Sequence, residues 1–378
     1  MTETVLTNAR LVLPEEVTEG TLLLRDGIIA DIQPGRSYLP SAEDLEGDHL
    51  IPGIVDLHTD NLERQVLPRA HARWPSLSAM LAHDAQTAAA GTTTVFDALC
   101  LGDLGFDTER IETFRDGVAD LDALAGTGLL KAEHFLHLRC ELPAPDMPAL
   151  FETVADHPLL RFVSLMDHSP GVGQYADLDR YRAMRARSGM PPEQIEARIA
   201  ALLDQRGRMR GPNRRWLLDR IAARGIPIAS HDDWNAEEIA ENARDGIRIS
   251  EFPVSIAAAE AARAHGMEII GGAPNLVRGG SHSGNVAVAD LLASGLVDAF
   301  ASDYVPPALL EAAWKAWQQH GIPLPQAVAM ITDRPARMAG LADRGRLAPG
   351  LRADLVRVAA FRGTPVVRQV WREGRRII

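Results

Sequence analysis

Lysine is nearly missing from this chain. Among 378 residues it occurs only at Lys131 and Lys315, so arginine supplies almost all of the 39 basic side chains. Cysteine is as scarce: Cys100 and Cys140 are too few for a disulfide framework, and neither sits in a paired-cysteine metal motif, so packing is their expected role. No apolar run approaches the ~20 residues that a membrane-spanning helix needs. The first residues mix Glu3, Asn8, Arg10, Glu15 and Glu16 instead of showing a basic stretch followed by an apolar one, and a cytoplasmic protein without membrane partners is expected. A net charge of −12 excludes a general nucleic-acid binder, which needs a basic surface, but leaves room for a local basic pocket that takes an anionic small molecule. What is present is ample: 46% hydrophobic and 24% charged residues suit one large core with a smaller appendage.

Both ends of the chain alternate in the β manner. Val5–Asn8, Leu11–Leu13, Thr21–Arg25 and Ile28–Ile32 read as strands at the start, and Leu355–Val358 and Val366–Trp371 at the finish. One appendage built from residues 1–50 and 345–378, a small β-sandwich, is the expectation. Between them, β-branched apolar runs alternate with helical stretches, the pattern of a parallel sheet closed by crossover helices. Eight strands are predicted near 52–58, 93–98, 133–141, 161–168, 226–231, 248–253, 268–274 and 298–303. Helices such as 76–90, 109–125, 256–265, 285–294 and 324–332 fall among them, which makes residues 51–344 a (β/α)8 TIM barrel, an α/β fold. A helical insertion near 171–215 carries ten arginines within 180–215 against Glu193, Glu196 and Asp204. It reads either as a solvated hairpin or as a lid that brings arginine to an anionic substrate.

The chemistry gathers at the predicted strand ends. These present His58 with Asp60, then His137, Arg139 and Glu141, then His168, His231 with Asp232 and Asp233, Glu251, Asn275 and Asp303. Imidazole nitrogen and carboxylate oxygen are the donors that zinc and related divalent ions take, and residues two apart on a strand share a face. His58 and Asp60 are therefore expected to hold one ion. His168 and His231 also end apolar runs, whereas His71, His157, His265 and His320 fall in loops or helices and read as ordinary hydrogen-bonded residues. His83 lies within a predicted helix, and neither its role nor that of Glu251 is fixed by the sequence. A cation lowers the pKa of bound water, and Asp303 at the last strand is placed to take the proton as general base.

After the seventh strand the chain reads Ala273-Pro274-Asn275-Leu276-Val277-Arg278-Gly279-Gly280-Ser281-His282-Ser283-Gly284-Asn285. Glycines let backbone amides approach a ligand, arginine offers a fork of donors, and barrel enzymes often bind phosphate in the loops after strands seven and eight. Asn275, Arg278, Gly280, Ser281, His282 and Asn285 are the expected substrate contacts, with His282 alternatively reaching a metal.

His58-Thr59-Asp60-Asn61, the Gly345–Asp354 stretch and the terminal β segments together resemble the amidohydrolase superfamily. Leu136–Pro143, Ser164–Gly171, Ser230–Asp233 and Gly272–Asn285 are similar to one branch of it, whose members release pyrophosphate from a phosphonate-bearing ribose 5-triphosphate. The resemblance implies a divalent metal, zinc or manganese, as one ion or two. It implies His58, Asp60, His168, His231 and Asp303 as ligands or metal neighbours, Glu141 as a bridging carboxylate, His231 and Asp303 as catalytic groups, and Arg139 among the substrate contacts. It implies a small-molecule ribose triphosphate as partner and leaves a homo-oligomer open. Superfamily members with a second histidine on the first strand and a carboxylated lysine differ from this chain, which has Asp60 at that point and Lys131 at the far end of its strand. The rival readings are a cyclic-amide hydrolase or deaminase on the same barrel, and a scaffold without metal.

Overall fold

The computed structural model describes residues 3–69, 71–105, 108–281 and 283–378. The amino-terminal strands are β1 (Glu3–Val12), β2 (Val17–Arg25), β3 (Ile28–Pro34), β4 (Glu43–Asp44) and β5 (His49–Pro52). Eight further strands follow: β6 (Ile54–Thr59), β7 (Thr92–Leu101), β8 (Glu133–Glu141), β9 (Leu160–Met166), β10 (Ile228–His231), β11 (Ile249–Glu251), β12 (Glu268–Gly272) and β13 (Ala299–Ala301). The chain ends in β14 (Leu355–Phe361), β15 (Thr364–Arg372) and β16 (Arg375–Arg376).

β6 to β13 pair in sequence order, each parallel to the next. The ring closes where β13 meets β6: the Asp60 amide donates to the Asp303 carbonyl at 2.6 Å and the Asp303 amide to the His58 carbonyl at 3.0 Å. Closure thus runs through the backbone of three expected site residues. Val55, Leu57, Phe96, Phe135, Phe162, Ile249 and Ile270 fill the interior, as β-branched and aromatic residues do in such barrels. Burying a side chain of this size contributes roughly 1.5–3 kcal/mol.

The terminal strands form a sheet in the order β16-β15-β14-β5-β1-β2-β3, with β4 beside β1. Hydrogen bonding runs through it without a break, because β5 pairs with both β1 and β14, so the strands of the two termini make one continuous mixed sheet. Its core includes Leu6, Leu22, Leu50, Leu355 and Trp371.

The insertion after β9 holds the helix Leu178–Arg187, whose Asp177 cap accepts from the amides of Asp179 and Arg180, and the 30-residue helix Pro192–Ile221. Most of its arginines are engaged locally. Arg182 pairs with Glu196, Arg206 with Asp167, Arg210 with Glu241 and Arg214 with Asp245. Residues 273–278, expected as loop, form a short helix that begins as β12 ends, with Gly279 in the left-handed conformation as its cap.

Candidate active site

The strand ends open into a cavity of about 540 Å³. His58, Asp60, Arg139, Glu141, His168, His231, Asp232 and Asp303 line its floor side, and Asn275, Arg278, Ser281, Ser283 and Asn285 come from the segment after β12. Asp232, Phe252 and Asp303, each just beyond a strand end, have φ of 57°, 56° and 54°. Non-glycine residues seldom adopt that region, and its use three times around one rim marks a backbone held for its side chains.

Glu251 organises the centre. Its two oxygens accept from Nδ1 of His58 at 2.8 Å and from Nδ1 of His231 at 2.7 Å. Fixing Nδ1 turns both Nε2 atoms toward the cavity, the usual arrangement of metal-binding histidines; that of His58 has no hydrogen-bond partner, and that of His231 lies 3.4 Å from Arg139 Nη2. Glu141 does the same for His168: its oxygens accept from the His168 amide at 2.8 Å and from Nδ1 at 2.6 Å. Both Glu141 oxygens thus accept from one histidine, which orients the His168 ring.

Ligand-type atoms converge in two triads, His58 with Asp60 and Asp303, and His168 with His231 and Asp232. Asp60 Oδ1 lies 3.4 Å from His58 Nε2, and Asp232 Oδ2 lies 3.6 Å from His231 Nε2 and 3.8 Å from His168 Nε2. His58 Nε2 and Asp232 Oδ2 are buried with no hydrogen-bond partner, although buried polar atoms nearly always have one. Nitrogen and oxygen donors of this kind, left orphaned, fit a divalent cation. Electrostatics agree. Burial opposes charge on His58, yet Glu251 and Asp60 outweigh it and raise the imidazole to about 10, so this point of the cavity favours positive charge.

Arg139 projects from β8 and donates through Nη1 to both oxygens of Asp60 at 2.7 and 2.8 Å. Burial, reinforced by the neighbouring Asp60, raises the Asp303 carboxyl to about 7. His137 is not part of the convergence: Nδ1 pairs with the Leu57 carbonyl at 2.9 Å and Nε2 with Ser164 Oγ at 2.7 Å, and burial holds its pKa down at about 3. Asp233 likewise faces away from it, accepting from Ser230 and Ser250.

Of the expected substrate contacts, Asn275 staples its own segment, donating to the Val286 carbonyl at 3.1 Å and accepting from the Val288 amide at 2.9 Å. Gly280 is not among the lining residues, and His282 lies outside the described residues. Arg180 of the insertion donates to the carbonyls of Ser283 and Gly284, tying the two segments together, while Arg185 from the same helix reaches the cavity wall. Sequence reasoning left Glu251 without a role and omitted Asp232 from the ligand set. Both stand at strand ends, which was the available signal.

A family model described as the amidohydrolase family matches residues 223–378. Over 376 residues, 99% of this chain and 100% of the relative, the sequence is 41% identical to the alpha-D-ribose 1-methylphosphonate 5-triphosphate diphosphatase of Escherichia coli (strain K12). Solved structures with the same fold include the dihydropyrimidinase of Brevibacillus agri NCHU1002, at 12% identity and TM-score 0.65 over 100% of this chain and 95% of that one. Another is the N-acetyl-D-glucosamine-6-phosphate deacetylase of Mycobacterium smegmatis, at 15% identity and TM-score 0.65 over 99% and 100%.

Proposed function

Because this chain belongs to the amidohydrolase family, within the branch of its Escherichia coli relative, we propose that it hydrolyses alpha-D-ribose 1-methylphosphonate 5-triphosphate in phosphonate breakdown. The products are pyrophosphate and 5-phosphoribosyl 1-methylphosphonate. The observation that carries this reading is one cavity holding two histidine–aspartate triads and five arginines, Arg64, Arg110, Arg139, Arg185 and Arg278. An anionic polyphosphate accounts for the arginines. A neutral cyclic amide or nucleobase offers no negative charge for five guanidinium groups around one cavity.

His58, Asp60 and Asp303 form one cation site, and His168, His231 and Asp232 a second. A divalent ion, zinc or manganese, supplies Lewis-acid polarisation and a lowered water pKa when bound. Asp303 accepts the proton of the attacking water on its carboxylate. Arg139, fixed by Asp60, faces the α-phosphoryl group. Arg278, with Ser281 and Asn285, and Arg185 from the insertion hold the β and γ phosphates and neutralise the charge that grows on departing pyrophosphate. The insertion near 171–215 serves as a lid, pinned to the 279–285 segment by Arg180. Residues 1–50 and 345–378 form one unit, and residues 51–344 the barrel.

The test is incubation with the ribose triphosphate while pyrophosphate is followed by phosphorus NMR, with a chelator arm and, in parallel, ammonia release from nucleobases. Chelator-sensitive pyrophosphate is the expected result. Ammonia without pyrophosphate replaces this reading with deamination, and activity indifferent to chelator removes the metal from it.

A further inference from the structure

β7 contributes no triad residue to the cavity, yet it carries a buried carboxylate. Asp97 on this strand accepts from His83 Nε2 at 2.7 Å and from His134 Nδ1 at 2.8 Å, and His134 Nε2 lies 3.2 Å from Asp84 Oδ1. Asp84 is held in turn by the amides of Lys131 and Ala132. All four side chains are buried, behind the barrel wall, where the helix Ser76–Ala89 packs on β7 and β8. Three of them, His83, Asp97 and His134, form a potential metal cluster by spacing alone, but their polar atoms already have partners within the array. The free end of the array is His83 Nδ1, which accepts from the Asn61 amide at 2.9 Å. An Asn61 donating into Nδ1 puts the ring proton on Nε2, aimed at Asp97. Asn61 is fully buried and directly follows Asp60, on a turn whose other side is held by the Asp303 carbonyl.

We infer that the outer array Asp84–His134–Asp97–His83 is a positioning device that, through Asn61, sets the turn bearing Asp60 and so tunes cation binding at His58, Asp60 and Asp303. The inference rests on the proposed metal reading of the cavity. Groups behind a ligand typically change metal affinity by roughly 10–100-fold, and this array stands behind Asp60 as Glu251 stands behind His58.

The experiment is calorimetric titration of manganese(II) into metal-stripped full-length protein, with kcat and KM measured on the reloaded enzyme. Asn61→Ala cuts only the link, His83→Leu removes the acceptor and the donor, and His83→Gln restores both through its amide. Expected are a loss of about 10–100-fold in manganese affinity for Asn61→Ala and His83→Leu, with kcat falling and KM holding, and an affinity for His83→Gln within about threefold of the wild type. If His83→Leu does not fold, Asn61→Ala decides. Affinities of Asn61→Ala and His83→Leu equal to wild type overturn the inference and leave the site reading intact. A wild type that binds neither manganese nor, in a parallel titration, zinc overturns both.

Discussion

Two carboxylates in this protein each join a pair of histidines, Glu251 at the barrel rim and Asp97 on its outer face, and the contacts are nearly identical at 2.7–2.8 Å. What differs is the far side of each ring. Around Glu251 the opposite nitrogens of His58 and His231 face an open cavity with Asp60 and Asp232 beside them, and His58 Nε2 has no hydrogen-bond partner. Around Asp97 the opposite nitrogens end on Asn61 and Asp84, and the array is saturated. On the proposed readings, the same motif serves binding in one place and positioning in the other. A carboxylate–histidine pair becomes a ligand set only where the second nitrogen is left exposed to a cavity.

Four measurements break or sharpen that contrast, and the largest effect is expected inside. Asp303→Asn keeps the shape of the inner cluster but removes its proton acceptor, and turnover should fall about 10²–10⁴-fold with unchanged circular dichroism. Near-normal pyrophosphate release would give the base role to another group. Glu251→Gln leaves one imidazole without its acceptor, and manganese affinity should drop roughly 10–100-fold by calorimetry. Equal affinity would make the inner carboxylate as remote from the cation as the outer one.

Next in size is Arg278→Ala, which removes a wall contact but no ligand. KM should rise about tenfold with kcat nearly kept, the signature of lost uniform binding. A kcat loss with KM unchanged would instead place the arginine at the reacting phosphorus.

The smallest effect concerns the outer array and shows in stability. His134 faces Asp97 and Asp84, with the His83 ring 5.7 Å away. Burial opposes its charge, but the two aspartates outweigh burial and raise it to about 9 from an ordinary value of 6.5. A folded pKa above the unfolded one stabilises fully below about 6.5, and that contribution is lost as pH rises through about 9. Urea unfolding should therefore show stability declining across this window, and His134→Gln should flatten the decline. An unchanged slope in the variant would assign the pH dependence elsewhere.

The fold was legible because period and punctuation agree. The eight barrel strands and the helices 76–89, 108–124 and 256–264 lie within a few residues of where apolar alternation and helical spacing put them. Residues 273–278 were misjudged for a local reason: a six-residue helix between Gly272 and Gly279 is too short to show periodicity, and glycines at both ends read as loop. In the site, His58, Asp60, His168, His231 and Asp303 converge as expected of strand-end residues. For Glu141 the sequence shows a carboxylate near the rim, but not that its oxygens accept from the amide and ring of His168. The arginines of the insertion were too numerous to rank: Arg182, Arg206, Arg210 and Arg214 pair with carboxylates, whereas Arg185 lines the cavity wall.

The sequence by itself determined the barrel, the terminal sheet and the identity of the donor atoms, since periodicity and residue chemistry are local properties that survive without coordinates. Only the tertiary structure decided which nitrogen of each rim histidine faces the cavity and which carboxylate holds the other. It alone put Asn61 against His83, 22 residues away in the chain. Those are questions of hydrogen-bond saturation between distant segments, and nothing in a linear pattern records which partner a buried polar atom has found.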